Sequence, residues 1–199
     1  MKILCMEGNY SGCDIPKCMS VLPDSTLLYS ERPFFVPDFD PCFTARLSVA
    51  LRINRLGKNV APRFAPRYYS EWTAAISIRA NGMLQSLRSQ GLPWDSAIAF
   101  DRSLIAGDFM RVADSDAGGD PVIPDLLLKL DGEVKAVWRH AEMTTSINES
   151  IAYASSENTI KTGDLVLCAL SPAQTELTPG HLLEITTNEN DIILTTPIR

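Results

Sequence analysis

Apolar and polar residues alternate at many places along the chain, and alternation at every second position is typical of a strand with one buried face. The longest such stretch follows Phe43. Its apolar positions are Leu47, Val49, Leu51 and Ile53, and the positions between them are Arg46, Ser48, Ala50, Arg52 and Asn54. A strand with a single buried face is predicted here, and residues 55–60 are predicted to form a turn and a return strand.

Shorter stretches of the same kind predict further strands at residues 2–6, 26–29, 75–79, 165–170, 182–186 and 192–196. Residues 125–137 predict a hairpin, because two alternating runs flank Asp131–Gly132, a pair favoured in tight turns. Helices are predicted at 83–90 and 144–156 from the spacing of apolar residues. Many short strands with a few helices predict a mixed β fold of the α+β class, in a single domain of residues 1–199.

Composition narrows the functions that this chain can have. The net charge of −6 and the pI near 4.9 argue against a nucleic-acid partner, which would require a basic face. No apolar run reaches the roughly 20 residues of a membrane helix, so no membrane partner is expected. The apolar start of the chain is interrupted by Glu7, and an export signal is not expected. A reduced, cytoplasmic location is the prediction.

The cysteines raise the question of a metal site. There are five, at positions Cys5, Cys13, Cys18, Cys42 and Cys168. The first four could supply thiolates to a structural zinc ion, but they lack the paired C-x2-C spacing that makes a zinc site convincing. We therefore expect ordinary buried or half-buried thiols.

Three stretches of the sequence carry a family resemblance. Residues 91–109 read GLPWDSAIAFDRSLIAGDF, where the glycines and Pro93–Trp94 mark a hinge between a helix and a sheet. The tripeptide Gly8-Asn9-Tyr10 follows the first predicted strand. Residues 151–166 follow the pattern I-x-Y-x-S-x-x-x-T-I-x-x-G-D-x-V. In these stretches the sequence resembles the fumarylacetoacetate hydrolase family.

This resemblance implies a fold and a chemistry. The fold would be the mixed β-roll, or barrel, of that family, usually assembled as a homodimer. Its members hydrolyse, decarboxylate or isomerise small diketo and oxo acids on a bound divalent metal, Mg or Mn. The frame of the family is retained over nearly the whole chain, whereas the positions of its active site are not.

The resemblance assigns family positions to five residues of this chain. It places Thr44 and Arg46 at two metal-binding glutamates, and Ser77 at the metal-binding aspartate. It places Ile98 at an active-site lysine and Cys13 at a histidine that helps to activate water. A guanidinium repels a divalent cation, and a thiol of ordinary pKa is a poor base near neutrality. We therefore expect no metal and no other cofactor.

These substitutions predict a protein that has kept the fold and lost metal-dependent catalysis, that is, a pseudoenzyme without catalytic residues. The expected ligand is a small carboxylate, bound in a pocket formed by Arg46, Ser77, Arg32 and Cys13. A homodimer, or pairing with an active paralogue, is the expected assembly.

The alternative is a family enzyme that acts on a diketo or oxo acid as a hydrolase, decarboxylase or isomerase. In one version the chemistry is metal-free: Arg46 replaces the metal as electrophile, with Cys13 or Asp14 as base or nucleophile. In the other version the metal ligands have moved to other acids. The candidates for such rearranged ligands are Asp38, Asp40 and Asp101.

Overall fold

A computed structural model describes residues 1–12, 18–113 and 119–199. The strands are β1 (Lys2–Glu7), β2 (Cys18–Pro23), β3 (Leu27–Tyr29), β4 (Phe43–Ile53), β5 (Tyr69–Ala80), β6 (Leu104–Ala106), β7 (Met110–Arg111), β8 (Leu126–Leu130), β9 (Glu133–Trp138), β10 (Leu165–Leu170), β11 (Thr175–Leu177), β12 (Leu182–Thr187) and β13 (Ile192–Pro197). The helices are α1 (Asn81–Ser89) and α2 (Ile147–Glu157). The predicted α+β class is confirmed.

These strands form two sheets within the described residues. The larger sheet has the order β2-β1-β10-β4-β5-β6-β3, with β11 added to β4 and β7 added to β5, and it curls into a half-barrel. The smaller sheet has the order β13-β12-β8-β9 and contains the predicted hairpin, β8–β9. The larger apolar core lies on the side of the large sheet that faces the small sheet and α2.

A second apolar cluster lies inside the curl of the large sheet. Its members come from neighbouring strands and from the hinge, and include Ile3, Ala50, Ala75, Ile98 and Leu167. The strands β1, β10, β4 and β5 are adjacent in the sheet, so their side chains on this face pack together in one layer. The inner face of β4 is therefore also buried, and the prediction of a single buried face on this strand is wrong.

The predicted return strand at residues 55–60 is also wrong. Gly57 makes only an isolated bridge to Ile160, and a 3-10 segment, Pro62–Arg67, follows. Its prolines have no N–H to donate to a sheet, so pairing resumes only at Tyr69, where β5 begins. The long β4–β5 hairpin that results is the frame of the site described below.

Two close contacts hold the helix and the hinge beside this hairpin. The Asp40 carboxylate accepts hydrogen bonds from the N–H groups of Gly82 and Met83 in the first turn of α1, which leaves few backbone donors there unpaired. A Cβ on Gly82 would lie 2.9 Å from that carboxylate. A Cβ on Gly107 would overlap the backbone oxygen of Ile193, so glycine is required at this position.

The side chain of Asn9 fixes the loop that leaves β1. Its amide nitrogen donates to the carbonyls of Thr145, at 2.9 Å, and Cys168, at 2.7 Å. Its amide oxygen accepts from the N–H of Thr145 and from the Thr144 hydroxyl. Because the buried amide is fully paired, the neighbouring residues Gly8 and Tyr10 are held in place. In the part of the chain that is described, no helix is long and apolar enough to cross a membrane.

Candidate active site

A cavity of about 300 Å³ opens on the inner side of the β4–β5 hairpin, beside α1. Its charged lining residues are Glu7, Arg46, Arg79 and Arg88. The remaining lining residues include the polar Tyr10, Asn81 and Gln174 and the apolar Leu84 and Trp94. This volume is in the range of sites for small molecules.

The register of the hairpin explains why polar groups meet here. Arg46 lies opposite Ser77, and Thr44 lies opposite Arg79. Residues that are directly opposite in an antiparallel pair, and residues two apart on one strand, project from the same face. Thr44, Arg46 and Ser77, which the resemblance assigned to the family's metal ligands, are thereby brought together.

Arg46 is fixed at the edge of the cavity although its side chain carries a charge. The residue is only 7% exposed. Its Nε donates to the carbonyl of Ser171 at 2.7 Å and its Nη2 to that of Leu170 at 3.3 Å, while Nη1 lies 3.9 Å from the Glu7 carboxylate. Burial and the neighbouring Arg79 lower the pKa of Arg46, and Glu7 opposes this shift.

Glu7 and Arg79 form the centre of the charge cluster. The Nη2 atom of Arg79 lies 2.7 Å from both carboxylate oxygens of Glu7, and the Ser20 hydroxyl donates to the same carboxylate. The Nε atom of Arg79 is buried without a hydrogen-bond partner among the described residues. This guanidinium is therefore not fully satisfied by the protein atoms around it.

Sequence reasoning missed both members of this pair. The arginine that reaches the cavity from β5 is Arg79, two residues after Ser77. The alternation Ser77, Arg79 along β5 was the available signal. For Glu7 there was no local signal, because its partner is 72 residues away.

The rim of the cavity carries a small hydrogen-bond network. The Oε1 atom of Gln174 accepts from the Thr44 hydroxyl at 3.2 Å and from the Asn81 amide at 3.3 Å. With two donors on its oxygen, the Gln174 amide is oriented so that its NH2 group remains a donor.

The other predicted site residues that are described do not line the cavity. Ser77 is buried beneath the cavity and does not line it, and Ile98 is buried in the inner apolar cluster. Arg32 is exposed on the loop after β3, where its carbonyl accepts from Thr196, and it does not line the cavity. Cys13 and Asp14 lie outside the described residues.

The lining residues of this cavity differ from the ligands that the family's divalent metal requires. A divalent ion such as Mg²⁺ or Mn²⁺ prefers several oxygen ligands. Among the described lining residues the carboxylate is that of Glu7, and it is held by Arg79. No cluster of three acidic, histidine or cysteine side chains is present in the described ranges. With the Arg46 guanidinium in place, these residues do not fit such an ion.

The proposed substitute ligands do not converge either. Asp40 is engaged with the first turn of α1, and Asp38 and Asp101 are exposed. The cysteines that are described, Cys5, Cys18, Cys42 and Cys168, are free thiols. Burial is the main cause that raises the pKa of the Cys5 and Cys168 thiols far above the usual value, so they stay protonated.

The fold and the cavity define a class of protein. The sequence profile of the family "Fumarylacetoacetate (FAA) hydrolase C-terminal" matches residues 9–192, and the chain belongs to the fumarylacetoacetate hydrolase family. The chain is 24% identical to oxaloacetate tautomerase YcgM of Escherichia coli (strain K12), over 93% of this chain and 87% of that protein. It is also 24% identical to oxaloacetate tautomerase fahd-1 of Caenorhabditis elegans, over 92% and 88% of the two chains.

Solved structures show the same fold. The fumarylpyruvate hydrolase of Pseudomonas aeruginosa, in complex with Mn²⁺ and pyruvate, superposes with a TM-score of 0.87. The alignment covers 100% of this chain and 89% of that one, at 16% identity. The predicted family and fold are thus confirmed, and the assembly as a homodimer stays a prediction.

The prediction of a pseudoenzyme is wrong. Relatives that align over nearly the whole chain are named as enzymes, and this supports the alternative, an enzyme of the family. The prediction failed because it equated the loss of metal-binding carboxylates with the loss of chemistry. A buried guanidinium can stabilise developing negative charge, which is one of the roles of a catalytic metal.

Proposed function

We propose that this protein is a metal-independent enzyme of the fumarylacetoacetate hydrolase family that interconverts the keto and enol forms of a small oxo acid. The observation that carries this proposal is the charge of the cavity. Three guanidinium groups, those of Arg46, Arg79 and Arg88, meet the carboxylate of Glu7, so the formal charge of these four described lining residues is +2. The chain as a whole has a charge of −6, and the cavity is a local exception that favours an anion.

Arg46 is the group that supports the reaction. Removal of a proton from the carbon next to the oxo group leaves negative charge on the oxo oxygen. The two backbone carbonyls that bind Nε and Nη2 hold the guanidinium, with Nη1 toward Glu7. A fixed donor aimed at developing charge needs no reorganisation during the reaction, and this gives electrostatic catalysis its strength.

Glu7 is the proton carrier in this mechanism. Its carboxylate takes the proton from the carbon, the electron pair moves to the oxo oxygen, and the same proton is then delivered to that oxygen to give the enol. A carboxylate has about four lone-pair sites, so the two contacts with Arg79 and the hydrogen bond from Ser20 leave a site on Glu7 for the proton. Arg79 keeps the carboxylate in position and balances its charge.

The relatives support the choice of reaction. Two of them are named oxaloacetate tautomerases, and the Pseudomonas structure contains pyruvate. Tautomerisation of an oxo acid needs a proton carrier and a group that stabilises the enolate, and Glu7 and Arg46 are such groups in one cavity. No water nucleophile has to be activated for this reaction.

The proposal is tested by replacing Arg46. We expect Arg46→Met to lower kcat/KM for oxaloacetate tautomerisation by about 100-fold or more, the effect of removing one donor to a developing oxyanion. Arg52→Met is the matched control, since Arg52 lies on the same strand outside the cavity, and it should retain activity within about twofold of wild type. Thermal melting verifies that both variants are folded. A folded Arg46→Met protein with undiminished activity, or a wild-type protein inactive on small oxo acids, would refute the proposal.

A further inference from the structure

Arg88 is the cationic residue of the cavity that is not buried. It lies in the last turn of α1, and its Cζ atom is 4.7 Å from the centre of the Trp94 ring. Both residues line the cavity. Within the ranges that the structure describes, no carboxylate forms an ion pair with Arg88, so an indole face rather than an acid holds this guanidinium. Stacking leaves the N–H groups at the edge of the guanidinium plane able to donate.

The helix sets the separation between Arg88 and the inner charges. Arg79 is the second-last residue of β5, with Ala80 between it and α1, and the helix rises about 1.5 Å for each residue. Arg88 is therefore about 10 to 12 Å farther along the helix axis at the level of its backbone. Helical side chains lean toward the N-terminus, which directs the Arg88 guanidinium back over the cavity.

Arg88 shares the wall of the cavity with Cys18 and Glu7. Burial and Glu7 raise the pKa of the Cys18 thiol, and Arg88 acts in the opposite direction. Cys18 lies opposite Glu7 in the pairing of β1 with β2, and it lines the same cavity. The positive charge of Arg88 thus acts on Cys18, which lies beside Glu7 in the cavity wall.

We infer that Arg88 is a specificity-determining residue that binds the second carboxylate of a dicarboxylic oxo acid, while Arg46 and Glu7 act on its oxo end. This inference rests on the proposed function and adds the substrate class to it. A monocarboxylic oxo acid places no second charge at the rim, so it gains little from Arg88. The Arg88 guanidinium binds substrate and takes no part in proton transfer, so its removal affects KM rather than kcat.

Two substrates of equal carbon number test this inference: oxaloacetate, which has two carboxylates, and 2-oxobutanoate, which has one. We expect Arg88→Ala to raise KM for oxaloacetate about tenfold, the effect of losing one charge-assisted contact at a solvent-accessible rim. Its KM for 2-oxobutanoate and both kcat values should stay within about twofold of wild type. Arg88→Lys keeps the charge without the planar fork and should lie between Arg88→Ala and wild type.

Arg63→Ala is the control for a stacked surface arginine. Arg63 makes the same kind of contact, 4.7 Å from the centre of the Phe64 ring, outside the cavity, and its loss should leave both KM values unchanged. An equal rise of KM on both substrates, or no rise on oxaloacetate, overturns the role of Arg88 while the proposed function stands. A wild-type enzyme inactive on both substrates overturns the proposed function, and the inference falls with it.

Discussion

The two ends of the β4–β5 hairpin each place an arginine against a glutamate, in different surroundings. At one end Arg79 contacts Glu7 at 2.7 Å, and their side chains are 6% and 11% exposed. At the other end Arg52 lies opposite Glu71 in the register and contacts it at 2.9 Å, with exposures of 37% and 34%. The distances are nearly equal, so the surroundings make the difference.

The two pairs differ in their exposure to water and in the charges next to them. Solvent weakens the Arg52–Glu71 attraction, and the Arg52 guanidinium gains a further contact on the Phe109 ring, 3.4 Å from its centre. The Arg79–Glu7 pair lies in the cavity, where a second guanidinium, that of Arg46, shares the carboxylate. The exposed pair lies at the surface of the hairpin. The buried cluster instead places the charges of Glu7, Arg46 and Arg79 at the wall of the cavity.

The largest stability effect expected at the hairpin follows removal of the buried cation. Arg79→Met leaves the Glu7 carboxylate with one distant guanidinium, and we expect the free energy of unfolding to fall by about 3 kcal/mol, as when one partner of a buried pair is deleted. Urea denaturation measures this change. The double variant Glu7→Gln/Arg79→Met removes both charges and should recover part of the loss. Equal losses in the single and double variants would show that the two charges are not coupled.

A small effect is expected at the exposed end. Arg52→Met and Glu71→Gln should each lower the free energy of unfolding by less than about 1 kcal/mol, because an exposed pair contributes little. High salt should reduce even this loss of unfolding free energy, since salt screens surface charges. Urea denaturation at low and high salt measures it. A loss as large as that of Arg79→Met would mean that burial does not distinguish the two ends.

The sequence patterns predicted the fold better than the site. Period-two alternation located β4 and β5, and their register then put Thr44, Arg46 and Ser77 together as the resemblance implied. The Glu7–Arg79 contact was out of reach, because it joins β1 to β5 across a curled sheet whose strands are not neighbours in the pairing order. Alternation predicts the face of the sheet from which a side chain projects. It does not predict which distant strand packs against that face.

The function was misjudged for a related reason. The resemblance placed the family's metal ligands at Thr44, Arg46 and Ser77, but it did not indicate which other groups lie beside them. Arg46 was among the predicted site residues and lines the cavity, but its partners Glu7 and Arg79 were not predicted. A single cation on a strand has no evident chemistry, whereas a cation held by two carbonyls beside a carboxylate can support proton transfer.

Independence from a metal ion is tested most directly by the rate of oxaloacetate tautomerisation. This rate is measured with the wild-type protein after exhaustive treatment with a metal chelator. A buried guanidinium that supports the reaction cannot be extracted by a chelator. We expect an unchanged rate after chelation and no increase when Mn²⁺ or Mg²⁺ is added back. Loss of activity on chelation, with recovery on addition of Mn²⁺, would contradict it.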